Sequence, residues 1–78
     1  MSEFALLPET AERATGLVYG AEYSVVVRDG ERHRVKVEAV LALGDGSPCS
    51  LQVTDVTGKY FIPWSAVQTY RPIPRPIP

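Results

Sequence analysis

The sequence predicts a mainly β domain, a short N-terminal helix followed by five strands that bend into a small antiparallel barrel. Three observations predict it. Residues 31–43, ERHRVKVEAVLAL, alternate apolar with charged side chains at the period of a half-buried strand. Turn signals recur at short intervals, at Asp29-Gly30, at GDGSP (44–48) and at Thr57-Gly58. Short β segments separated by tight turns favour a barrel or meander over a parallel sheet. Only residues 8–15 carry helical spacing. The expected organisation is one domain over residues 1–70 and a proline-rich tail over 71–78.

The helix comes first. Pro8 suits an initial helical position, where its missing N–H would be unpaired anyway. Glu9 then lies at the positive end of the helix dipole, and Gly16 can take the left-handed conformation that ends a helix. Phe4, Leu7, Ala11 and Ala14 have the spacing of one apolar stripe, with Pro8 leaving Phe4 in an arm before the helix. So short a helix must dock to persist.

After Gly16 the period becomes two. In residues 22–29, EYSVVVRD, the side chains of Tyr23, Val25 and Val27 share one face. Asp29-Gly30 is a two-residue hairpin signal. The long second strand then places His33, Val35, Val37, Ala39, Leu41 and Leu43 on the inner face and Arg32, Arg34, Lys36 and Glu38 on the outer one. Past Glu38 the outer face is apolar too, as a bent strand covered on both sides requires. Residues 50–56 give a third strand with Leu51 and Val53 inward, and KYFI begins a fourth. Pro63 cannot donate a ladder hydrogen bond, so pairing stops or kinks there. Trp64-Ser65-Ala66 fits one 3₁₀ turn, and residues 67–70 resume as a fifth strand. The tail RPIPRPIP favours extended polyproline II, but its prolines at 72, 74, 76 and 78 lack the spacing of a PxxP ligand.

Size and composition narrow the function. A chain of 78 residues buries only roughly 60% of its unfolded surface and needs support. Cys49 is the single cysteine and His33 the single histidine, so neither a disulfide nor a Cys/His zinc site is expected, and no cofactor. Oligomerisation is the support that remains. The net charge of −1 lacks the bulk basicity of a protein held by phosphate contacts. No apolar stretch approaches the roughly 20 residues of a membrane span, and no signal peptide is visible, so the expected location is cytoplasmic.

No catalytic set can be assembled. Cys49 has no neighbouring base, Asp45 and Asp55 have no partner acid, and GDGSP lacks the lysine and glycine spacing of a phosphate loop. The chain is read as no enzyme. Candidate contact residues are the aromatics Trp64, Tyr60 and Tyr70, and the basic residues Arg32, Arg34 and Lys36. Trp64 either stacks on a base or clamps a partner's proline, or else plugs the barrel end. The basic residues, with Arg28, form either a phosphate-binding stripe or a solvated strand face paired with Glu22, Glu31 and Glu38.

The short helix, five strands, bent second strand and 3₁₀ corner resemble the Sm-like (LSm/Hfq-type) family of small β-barrels. VVVRDG (25–30) is similar to the hairpin of its first motif, and FIPWSAVQTY (61–70) to the strand–corner–strand of its second. The resemblance implies a ring built by pairing strands four and five of neighbouring copies, and in many members RNA binding at the pore or on a face. The family's bend glycine is replaced by Val35, its pocket asparagine is absent because the chain has no Asn, and Pro63-Trp64-Ser65 stands in its pore motif. A generic SH3-like barrel gives much the same pattern. The expectation is therefore a protein-interaction or structural assembly module, homo-oligomeric through strands four and five. RNA binding of Sm-like type is the alternative.

Overall fold

The computed structural model describes residues 3–74. Its elements, in order, are β1 (Phe4–Ala5), α1 (Pro8–Thr15), β2 (Glu22–Val27), β3 (Arg32–Ala42), β4 (Pro48–Asp55), β5 (Gly58–Pro63), a 3₁₀ turn (Trp64–Ala66) and β6 (Val67–Pro72). The strands form one antiparallel sheet of six, with the hydrogen-bonded path β5–β4–β3–β2–β6 and β1 added to β3. The path is open, ending on β5 and β6. Among the described residues no helix is long and apolar enough to cross a membrane.

Six strands stand where five are expected. The extra one, β1, pairs Phe4 with Ala42 and Ala5 with Leu41. Two residues are too few to display a period, so its sequence carries no strand signal. Its position follows from the length of β3: β2 covers only residues 32–36 of that strand, and β1 occupies the same side further along. Between them, Val37 exchanges backbone hydrogen bonds with Gly20 and Ala21, and Leu6 N–H donates to Val40 C=O.

The helix lies where proline and glycine place it. Gly16 adopts φ 77, and its N–H returns to Glu12 C=O at 2.7 Å. The docking stripe differs from the expected one. Leu7 precedes the helix and is 73% exposed, and Ala14 is exposed as well. Of the expected stripe only Ala11 is buried, Phe4 being exposed too, and Thr15 one turn on joins it. Thr15 can be buried because its hydroxyl donates to Ala11 C=O and accepts from Leu17 N–H.

In β2 the inward set Tyr23, Val25 and Val27 is as expected, the first two fully in the core and Val27 packed against it. The hairpin that follows has three loop residues, Arg28–Gly30, rather than two: Gly30 N–H donates to Val27 C=O, and Val27 N–H donates to Glu31 C=O. Gly30 supplies φ 89, as a three-residue hairpin loop requires.

The main correction concerns β3. Val35 and Val37 are buried as the alternation demands, but beyond them Val40 and Ala42 are buried while Ala39, Leu41 and Leu43 are only partly covered. The register against β4 slips between Val37 and Ala39. A β-bulge inserts one residue, here Glu38, and a one-residue insertion exchanges the two faces of everything after it. The bulge bends the strand at a place where the chain has no glycine.

The remaining strands keep Leu51, Val53 and Ile62 inward, and β4 begins earlier than expected, at Pro48. The corner at 64–66 is the 3₁₀ turn anticipated from Pro63. The last strand runs past residue 70 through Arg71 and Pro72, and Ile73 N–H still donates to Glu22 C=O. Residues 71–73 therefore belong to the sheet rather than to a tail, and residues 75–78 of the expected polyproline segment lie outside the described residues. Proline is tolerated at 72 because β6 is an edge strand.

Candidate functional site

The sequence-derived candidates fall into separate groups. Trp64 and Tyr70 meet at the corner, ring centroids 6.0 Å apart and planes inclined by 50°. Both are partly buried and packed against the core cluster. Tyr70 also meets Tyr23 edge-on at 6.3 Å, and its hydroxyl donates to Thr15 C=O, joining the last strand to the helix end. Arg28 holds the corner from the other side, its backbone N–H donating to Ala66 C=O and its Nε to Ser65 C=O. Trp64 thus spends part of its ring on the fold.

Tyr60 belongs to a different cluster. Its hydroxyl donates to Asp55 Oδ2 at 2.9 Å and lies 3.3 Å from His33 Nδ1, while His33 Nε2 lies 3.4 Å from Glu31 Oε1. The chain Asp55–Tyr60–His33–Glu31 ties the β4–β5 hairpin to the β2–β3 hairpin. Burial, reinforced by the hydrogen bond to the Asp55 carboxylate, pushes the Tyr60 phenol up to about 12. Asp55 is held below its ordinary value by the hydroxyl and N–H of Thr57. Asp45 is lowered likewise by Ser47, at the tip of the β3–β4 loop. Cys49 is shifted up, by desolvation first and then by Glu3, which opposes thiolate formation.

Arg32, Arg34 and Lys36 share the outer face of β3, and all three are exposed. Arg34 Nε pairs with Glu22 Oε2 at 3.2 Å, and Glu38 accepts from the Thr54 hydroxyl at 3.0 Å. Around Lys36 a shallow depression mixes Glu22 and Asp55 with Arg34, so its charge is balanced. Around Arg32 the surroundings differ: Arg32, Ser24, Val26, Thr69 and Arg71 line a hollow of about 220 Å³. Of these only Arg32 is a candidate from the sequence; Ser24, Val26, Thr69 and Arg71 are not. Arg71 was hidden by the prolines that follow it.

The register explains why they meet. Ser24 lies opposite Arg34 on one side and Arg71 on the other, and Val26 lies opposite Arg32 and Thr69. Among the described residues no three His, Cys, Asp or Glu side chains gather as a metal cage would require. No family model matches the chain, and neither a curated protein nor a solved structure does.

Proposed function

We propose that the chain is a non-catalytic assembly module, a bent SH3-like barrel of Sm-like type that joins copies of itself through its two sheet edges. The observation that carries this reading is the open path from β5 to β6, each bonded on one side only. An unpaired edge presents main-chain N–H and C=O groups that template another strand. On β6 the outward groups follow from the ladder. Ile73 N–H bonds Glu22 C=O, so by antiparallel alternation residues 69 and 71 also face β2, and Tyr70 and Pro72 turn their main chain outward, up to the register shift at Gln68. Pro72 has no donor there and Pro63 has none on β5, which limits the pairing to a few rungs.

The two edges differ, so β5 of one copy against β6 of the next is a head-to-tail contact, and such contacts close into rings when the rotation permits. Phe61 supports the choice of β5: it is 59% exposed on that edge strand, on the face opposite Ile62. Sedimentation velocity of the full chain should give a mass above the monomer at micromolar concentration, and Phe61→Lys should lower it while the far-UV spectrum stays unchanged. A monomer mass across the micromolar range refutes the reading. RNA is the alternative ligand for an Sm-like barrel, and it draws on the resemblance, on Trp64 as a stacking surface and on the basic face of Arg32, Arg34 and Lys36. Oligo-U and oligo-A that fail to bind below about 100 µM at physiological salt, the non-specific range, remove it.

A further inference from the structure

We infer that the outer face of the sheet carries a phosphate-binding hollow, formed by Arg32 of β3, Arg71 and Thr69 of β6 and Ser24 of β2. The hollow they line is about 220 Å³. Two strand spacings separate β3 from β6, about 10 Å, and Arg32 and Arg71 stand on a diagonal across β2, Arg32 opposite Val26 and Arg71 opposite the small Ser24.

Charge marks this place out from the rest of the surface. Arg28 donates to the Ser65 carbonyl and Arg34 is paired with Glu22, the nearest acidic residue along the same face of β2. Among the described residues, Arg32 and Arg71 have no carboxylate within ion-pair distance. Two positive charges and two hydroxyl groups therefore face one hollow without an internal counter-charge. Guanidinium forks match the oxygens of a phosphate bidentately, and hydroxyls donate to those left over. A phosphate ester of about two negative charges near neutral pH balances the pair of arginines. A carboxylate offers only two oxygens to four donor groups and fits less well.

The site goes beyond the proposed assembly and does not need it: all four residues belong to one chain, although Thr69 and Arg71 lie on the edge strand β6. The test is titration of the full chain with inorganic phosphate at constant ionic strength, followed by amide and arginine Nε–H shifts in ¹H–¹⁵N spectra. Saturable shifts are expected at Ser24, Val26, Arg32, Thr69 and Arg71. Arg32→Gln or Arg71→Gln should weaken binding about tenfold each, by loss of one charge-assisted contact. Arg13→Gln, on the helix, should leave binding unchanged. The same spectra report whether each variant remains folded. Absence of saturation by about 50 mM phosphate, a bound weaker than any useful site, overturns the inference. So does equal weakening by Arg13→Gln, which would mark diffuse attraction. Phosphoserine and a single-stranded oligonucleotide, added at equal phosphate, then identify the source: displacement by the first assigns a phosphomonoester and by the second a phosphodiester chain, and displacement by neither refutes the site.

Discussion

The face exchange in β3 makes a sharp prediction, because strict alternation and the bulge rank two adjacent residues in opposite order. Val40 is fully buried, and Leu41 next to it is only partly covered. Val40→Ala removes two carbons from the core, about 1.6 kcal/mol of transfer free energy at ~0.8 per carbon. The cavity left behind raises the cost to about 2–3 kcal/mol. For a domain of this size each kcal/mol shifts Tm by about 4–8 °C, so Tm should fall by roughly 10–20 °C. Leu41→Ala removes three carbons from a side chain that is partly open to water, so little cavity is left behind and the cost should be about 1.5 kcal/mol. Had alternation continued unbroken from Val35 and Val37, Leu41 would be the core residue, with a cost of about 2–5 kcal/mol, and Val40 nearly neutral. Urea denaturation of both variants, with equal m-values to guarantee a common unfolded state, measures the difference. A larger loss for Leu41→Ala than for Val40→Ala refutes the bulge.

Two further expectations concern the tyrosines. The folded-state value of Tyr60, about 12, lies above the ordinary 10.0, so the unfolded chain loses this proton first and stability declines as pH rises from 10 to 12. Tyr60→Phe should flatten that part of the stability–pH curve, and an unchanged slope would contradict the Asp55–Tyr60 contact. Tyr70→Phe keeps the ring against Trp64 and Tyr23 but orphans the Thr15 carbonyl, and should cost about 1–3 kcal/mol in thermal or chemical unfolding. A neutral result would show that water replaces the hydroxyl.

Where the sequence can be read, a local rule has one solution. Pro8 and Gly16 bracket the helix because a missing N–H and a positive φ are each accommodated at one end only. Pro63 stops the ladder, and the corner follows it. Tyr23 and Val25, on a strand with one wet face, keep their parity. The rules fail where two solutions have equal local cost. After Glu38 both faces of β3 are apolar, so parity carries no information and the bulge is set by pairing with β4. Phe4 and Ala5 become a strand because β3 outruns β2, which is a fact about the partner. The outer hollow was half legible: Arg32 stands out by alternation, while Arg71 reads as the start of a proline repeat and meets Arg32 only through β2.

The tyrosines also explain how so small a chain holds its helix. Segment 6–21 lies largely outside the sheet ladder, and several of its main-chain groups are covered by the fold. Tyr19 donates to Leu6 C=O at 2.6 Å and accepts from Val40 N–H, Tyr23 accepts from Val18 N–H at 2.9 Å, and Tyr70 donates to Thr15 C=O. Each ring buries apolar surface while its hydroxyl satisfies a backbone group that would otherwise cost about 1–3 kcal/mol. Among the described residues no buried side-chain nitrogen or oxygen is left without a partner. The buried side chains therefore meet their hydrogen-bonding needs from within the fold. What stays unsatisfied is peripheral: the outer main chains of β5 and β6, the exposed ring of Phe61, and two arginines without counter-charge. A fold that partners its buried side-chain polar atoms, yet leaves both sheet edges open, places its free main-chain hydrogen-bonding capacity where another strand can reach it. That distribution is the physical basis of the proposed assembly through the edges.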